Sequence, residues 1–366
     1  MNNLSLGKDI PSPTKSTGYH NTGTQLQGRA RGDLLGTRDF HRSSPSMSFP
    51  SLPHVLITNA VPDQVRAPIE GRAQLVMGPA DGSLMDRKEV LRLAPRLFGI
   101  INQAELRVDR ELLEYAPHLR IVANVAMGTD NFDLELMKER GVYATNIPNF
   151  FAGAAADYTL GVLLMLSRRL READDHVRSG QWKEFQPGRW DGPLLEGRTL
   201  GLIGFGAIAQ AVANRAQAFG VNCIHHTRTP TGLAGYRSLD QLLSESDIVS
   251  LHLPLTRDTR HLINARRLGQ MKPGSYLINV ARGRIVDESA LVAALQSGHL
   301  AGAALDVFEN EPRVHPALTA MNQVVLTPHI AGGTIESRHA ARLFCFENIA
   351  RTLAGLSPLN IVNSLV

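Results

Sequence analysis

The stretch Thr199-Leu200-Gly201-Leu202-Ile203-Gly204-Phe205-Gly206-Ala207-Ile208-Ala209 decides the fold. Its apolar start reads as a buried strand. Two glycines one residue apart then open a helix rich in small residues, Gln210 to Ala218. This is the strand, tight turn and helix of a dinucleotide-binding unit. Gly204 permits the turn, and Gly206 lets backbone approach a pyrophosphate at the helix N-terminus, where free N–H groups favour negative charge. Ala209 takes the place of the usual third glycine, an accepted variant.

Alternation extends in both directions from this unit. Downstream, apolar runs at 221–226, 248–253, 275–280, 303–307 and 324–327 predict five further strands. Six strands with crossovers suit a doubly wound nucleotide-binding sheet. Upstream, runs at 54–58, 73–77, 97–101, 120–125 and 142–146 predict a second parallel α/β layer, with helices at 109–116 and 133–140 between them. A long helix is expected over 153–170, then a Gly/Pro/Trp-rich linker at 180–197. The helix at 336–354 cannot form a domain alone and is assigned back to the first layer. The expected division is therefore a disordered tail at 1–46, a substrate domain from 47–150 and 331–366, and a nucleotide domain at 151–330.

The chain of 366 residues carries a net charge of +4, with six Lys/Arg and three Asp in residues 1–46. That tail accounts for +3, so the remainder is nearly neutral and offers no surface for nucleic acid. The tail is also open to two other readings, a targeting peptide or an overlong start ending at Met47. The most apolar helix candidate, 158–166, is too short to span a bilayer and is followed by Arg168 and Arg169, so no membrane partner is expected. Cys223 and Cys345 suggest neither a disulfide framework nor a metal site, which fits a reducing cytoplasm.

Many motifs in order resemble the D-isomer-specific 2-hydroxyacid dehydrogenases, especially their glyoxylate/hydroxypyruvate reductase branch. They are Ile121 to Asn131 (IVANVAMGTDN), Gly201 to Ala213, Leu251 to Thr256 (LHLPLT), Met271 to Gly274, Ile278 to Gly283 (INVARG), Gly302 to Phe308 with Glu311-Pro312, and Thr327 to Ala331 (TPHIA). The resemblance covers roughly 52–363. It implies two doubly wound domains, Rossmann and flavodoxin-like, around a cleft, a homodimer, and NAD(P)-dependent reduction of a small 2-keto acid to the D-2-hydroxy acid.

The resemblance implies the catalytic set Arg282, Glu311 and His329, and these residue types suit the chemistry. A planar guanidinium donates to both the carboxylate and the carbonyl oxygen of a 2-keto acid, so Arg282 is the anchor. As hydride reaches the carbonyl carbon, charge builds on its oxygen. Histidine, ordinarily titrating near about 6.5, supplies the proton there, and Glu311 on the other ring nitrogen fixes its tautomer. Each lies where a predicted strand ends, the edge at which α/β folds bind ligands. The Ala126-Met127-Gly128 turn matches the family loop whose N–H groups hold the substrate carboxylate. The loop Asn102-Gln103-Ala104 matches another substrate-facing segment. Ala104 stands where the reductase branch often has a bulky apolar residue, which bears on substrate size.

For the cofactor the resemblance implies Gly204, Gly206, Ala207, Ile208, Pro254, Val280, Ala281, Asp306 and Ala331, together with Thr227, Arg228 and Thr229 at the end of the second nucleotide-domain strand. No acid stands between His225 and Thr229 to hold the ribose hydroxyls of NAD. Thr227, Arg228 and Thr229 suit a 2′-phosphate instead, so NADP is preferred, with NAD also accepted. Ala207 replaces an arginine often found near the phosphates. Two alternatives stay open: a reductase of keto-sugar acids such as 2-ketogluconate, and a nucleotide-sensing corepressor. Corepressors of this fold tend to carry tryptophan just after the matching His and Ala, where this chain has Gly332-Gly333.

Overall fold

In the computed structural model residues 51–103, 105–230 and 232–365 are described; the tail at 1–46 and Ala104 lie outside them. The first series runs β1 (His54–Ile57), β2 (Gln74–Met77), α1 (Arg87–Leu93), β3 (Leu97–Asn102), α2 (Arg110–Tyr115), β4 (Ile121–Asn124), α3 (Leu134–Glu139) and β5 (Tyr143–Thr145). The helix starts read from Asp109 and Asp133 are N-caps, whose carboxylates accept the N–H of Leu112 and Leu136. The five strands are parallel in the order β2-β1-β3-β4-β5, the flavodoxin-like arrangement.

α4 (Ala152–Ser167) and α5 (Leu170–Arg178) link the two series. The single helix expected over 153–170 is thus broken. Arg169 takes a left-handed φ of 50°, and its guanidinium binds Glu172 and the Arg189 carbonyl, which starts α5 in a new direction. No helix or strand follows until Thr199, as the Gly/Pro-rich linker composition implies.

The second series runs β6 (Thr199–Ile203), α6 (Ala207–Ala216), β7 (Asn222–His226), α7 (Leu239–Glu245), β8 (Ile248–Leu251), α8 (Ala265–Gln270), β9 (Ser275–Asn279), α9 (Glu288–Gln296), β10 (Leu300–Leu305), α10 (Pro316–Thr319) and β11 (Val324–Leu326). These six strands are parallel in the order β11-β10-β9-β8-β6-β7. A single bridge between His225 and Tyr236 sits beyond β7 and takes the place of the outer strand of a Rossmann sheet. β10 begins at Leu300, earlier than the expected 303, and Val307 lies past its end.

α4 buries Ala156, Leu160, Leu163 and Leu166 with Leu200, Leu202, Ala209 and Val212 of the second series. α11 (Ile335–Leu353) returns to the first sheet. Its Ala341, Cys345, Phe346 and Ile349 share one core with Ile57, Ile101, Ile121 and Ala123. Burying each of its large apolar side chains contributes about 1.5–3 kcal/mol, which holds this last helix against the first sheet.

Candidate active site

The C-terminal ends of both sheets converge on one place. β9 ends at Asn279, and three residues later Arg282 extends toward the first series. Its Nε donates to Asp130 Oδ1 at 3.0 Å, and its Nη1 to the Ala281 carbonyl at 2.8 Å. The guanidinium lies against Gly128 so closely that a Cβ there would overlap the Arg282 Nη2 atom. The Ala126-Met127-Gly128 turn is itself held by buried Asn124, whose Nδ2 donates to the Gly128 carbonyl at 2.9 Å and to Asn131 Oδ1 at 3.2 Å. Asn131 Nδ2 in turn donates to the Leu106 carbonyl at 3.0 Å. Asn146 Nδ2 donates to the Met127 carbonyl at 2.6 Å.

Beyond β10, Glu311 folds back over the strand end. Its Oε1 accepts the Phe308 N–H at 3.0 Å, and its Oε2 stands 3.0 Å from His329 Nδ1. Burial acts to raise the Glu311 carboxyl. The bonds from His329 and Phe308, with the Arg282 charge nearby, outweigh it and hold the group below the usual carboxylate value. With Nδ1 donating to Glu311, His329 Nε2 has no hydrogen-bond partner among the described residues, and the side chain remains 53% exposed. The three residues expected to act together are thus on adjoining strand ends.

The nucleotide end is built by the turn after β6. Gly204 has φ 87°, and a Cβ on it would overlap the His252 carbonyl, so only glycine fits between β6 and β8. Gly206 N-caps α6, and a Cβ there would meet nothing within 4 Å, so its backbone faces open space. The first-turn N–H groups at Ala207 and Ile208 have no acceptor within the helix. This cradle, at the β6–β8 crevice where strand order reverses, fits a pyrophosphate. Phe205 stacks on His225 at 3.9 Å between ring centroids and braces the turn. At the end of β7, Thr227 Oγ1 donates to the Thr229 carbonyl at 2.7 Å, and Arg228 is exposed with no ion pair among the described residues.

Pro254, Val280 and Ala281 lie past β8 and β9 on this same edge. Asp306 and Ala331 are joined to each other. The Asp306 carboxylate accepts the Ile330 N–H at 2.8 Å, the Ala331 N–H at 2.7 Å and the Thr327 hydroxyl at 2.7 Å. It therefore holds the loop that carries His329. Asp130, Asn124, Asn131 and Thr327 are parts of the site to which sequence reading assigned no role; the polar run at Thr129-Asp130-Asn131 was the visible signal. Two cavities of about 600 and 270 Å³ lie at the opposite, N-terminal edge of the second sheet, lined by Leu194, Ser167 and Tyr276 among others, away from this site. No helix of the described residues is long and apolar enough to cross a membrane, and no metal-binding group of His, Cys, Asp or Glu occurs among them.

Residues 160–331 match the family model for the NAD-binding domain of the D-isomer-specific 2-hydroxyacid dehydrogenases. A glyoxylate reductase of Pyrococcus furiosus is 39% identical over 324 residues, covering 86% of this chain and 96% of that one. A crystal structure of a Thermus thermophilus protein superposes with a TM-score of 0.81 at 40% identity, covering 84% of this chain and 99% of that one. The NADPH-dependent glyoxylate/hydroxypyruvate reductase of Sinorhizobium meliloti, solved with NADP and malonate, gives 0.74 at 35% identity over 85% and 97% of the two chains. A two-layered parallel α/β chain with a dinucleotide turn and a His–Glu pair at its strand ends is of the dehydrogenase class. The chain belongs to the D-isomer-specific 2-hydroxyacid dehydrogenase family and is an oxidoreductase.

Proposed function

We propose that the protein reduces a small 2-keto acid of the glyoxylate/hydroxypyruvate class to its D-2-hydroxy acid with NAD(P)H. The observation that carries this reading is the 3.0 Å pairing of His329 Nδ1 with Glu311 Oε2 beside Arg282. Arg282 Nη2 and the N–H groups of the Ala126-Met127-Gly128 turn bind the substrate carboxylate, and the guanidinium also reaches the carbonyl oxygen. A reduced nicotinamide bound at the second sheet's edge would supply the hydride that the keto carbon receives. His329 Nε2 gives its proton to the oxygen as charge develops there, while Glu311 stabilises the imidazolium form and keeps the ring oriented. In the reverse direction His329 accepts that proton.

Gly204, Gly206, Ala207 and Ile208 would hold the pyrophosphate, and Pro254, Val280, Ala281 and Ala331 would flank the nicotinamide half. Thr227, Arg228 and Thr229 favour NADP, because an exposed arginine without an ion pair among the described residues is available to a 2′-phosphate, and no acid stands between His225 and Thr229 to oppose it. A homodimer is supported by the apolar side chains left exposed on α5 and the segment after it: Leu170 at 47%, Val177 at 53%, Trp182 at 56% and Phe185 at 82%. The unpaired Cys223 and Cys345 accord with a reducing cytoplasm. The test is a panel of keto acids assayed with NADPH and NADH. Turnover of glyoxylate or hydroxypyruvate with NADPH favoured supports the reading, and no turnover of any 2-keto acid overturns it.

A further inference from the structure

His329 has a φ of 55°, a left-handed conformation that a residue with a Cβ adopts only when its surroundings hold it there. The restraint comes from one buried carboxylate. Asp306, 1% exposed, accepts the N–H groups of Ile330 and Ala331, the two residues after the histidine. Its own backbone carbonyl accepts the His329 N–H at 2.8 Å. The fourth contact is Thr327 Oγ1 at 2.7 Å.

A threonine hydroxyl has one proton, and here it goes to the carboxylate. The Thr327 oxygen therefore accepts its other bond, and the partner is the hydroxyl of Tyr158. Tyr158 sits on α4, packed against the hydrophobic core around Leu160, Leu163, Ile278 and Val325. Burial pushes its phenol up to about 12, so it remains a neutral donor at any working pH. The result is a directed chain of donation, from Tyr158 to Thr327 to Asp306. It anchors the loop that presents the catalytic imidazole to a helix that packs inside the second sheet's core.

We infer that Tyr158 is a positioning residue, acting through Thr327 and Asp306 to hold His329 in its reactive orientation. This rests on the reading of His329 as the proton donor. Without the phenol hydroxyl, the Thr327 side chain loses the partner that fixes its rotamer. The Asp306 carboxylate then holds the loop by two backbone bonds alone. The loop is free to relax from its left-handed turn, and a displacement of about 1 Å at a reacting atom can cost on the order of a hundredfold in rate.

Tyr158→Phe keeps the ring and its packing and removes only the hydroxyl. The expected result is a five- to fiftyfold fall in kcat, with KM for the keto acid and Kd for NADPH within twofold of wild type. The solvent isotope effect on kcat should rise, because proton delivery becomes limiting. Thr327→Val should reproduce the loss and Thr327→Ser should largely avoid it. The decisive arm is Tyr158→Phe in a His329→Ala background, where single-turnover hydride transfer should fall no further. A wild-type kcat in Tyr158→Phe, or an equal additional loss in the double variant, overturns the positioning role. A His329→Ala single variant that retains wild-type turnover instead overturns the reading of His329 itself, so the two failures are told apart.

Discussion

Arg282 Nε donates to Asp130 Oδ1 at 3.0 Å, joining residues 152 positions apart that cap strands of different sheets. The pair sets the plane of the guanidinium against the glycine turn after β4 and leaves Nη2 directed at that turn. A lysine in place of Arg282 would keep a charge and lose the planar fork.

Arg282→Lys should therefore lower kcat/KM for every keto acid by roughly ten- to hundredfold, the equivalent of a charge-assisted hydrogen bond at about 1.5–3 kcal/mol. Asp130→Asn should cost far less, because Asp130 is 45% exposed and such pairs are worth about 0.2–1 kcal/mol. Steady-state kinetics on both variants checks this. Loss of similar size in the two would mean that Asp130 itself touches the substrate.

The Glu311 carboxyl is held below its ordinary value of 4.5. A lowered folded value means that its contribution to stability is present above that ordinary value and is lost as pH falls through the lowered one. The stability gap between wild type and Glu311→Gln should accordingly be constant near neutrality and shrink below about pH 4.5. In activity, the variant's kcat for reduction should fall, because the imidazole has lost the carboxylate that orients it. Unfolding curves and steady-state kinetics of the two proteins measure both effects. An unchanged kcat would separate Glu311 from proton transfer.

The elements that present the site were legible wherever the signal is local. Apolar runs marked the strands, and Asp109 and Asp133 marked helix starts through their caps. The glycine pair at 204 and 206 marked the turn because only glycine clears the His252 carbonyl at the first position. What escaped depends on contacts between distant residues. Nothing near Arg169 in sequence signals a left-handed residue, since the Arg189 carbonyl that it binds lies 20 positions on. The bridge at Tyr236 is too short to produce an alternating pattern. Asp306 read as one more residue of a cofactor motif. That its carboxylate would close on the loop around His329, with Thr327 linking it to Tyr158, 169 residues before that threonine, is set by the stacking of α4 on the second sheet.

Gly204→Ala tests that tight turn. A left-handed alanine costs about 1–2 kcal/mol, and its methyl group would also displace the His252 carbonyl. The melting temperature should fall by several degrees, at about 2–4 °C per kcal/mol, and NADPH binding should weaken. An unchanged melting temperature would mean that the turn readily adopts another conformation.

Arg228→Ala should reduce kcat/KM with NADPH by roughly ten- to hundredfold, as expected for one lost charge-assisted contact at about 1.5–3 kcal/mol. The value with NADH should barely change. Thr227→Asp should go further and reverse the preference, because a carboxylate accepts from ribose hydroxyls and repels a 2′-phosphate. Equal losses with both cofactors in Arg228→Ala would mark the arginine as a solvent-facing residue.

The most direct test of the account is single-turnover hydride transfer in His329→Ala, with NADPH affinity measured alongside. The imidazole, held at 3.0 Å by Glu311, is assigned the proton and none of the nucleotide contacts. The rate should fall by about 10²–10⁴, with the Kd for NADPH within twofold of wild type. A His329→Ala protein that reduces the keto acid at near wild-type rate would contradict the assignment.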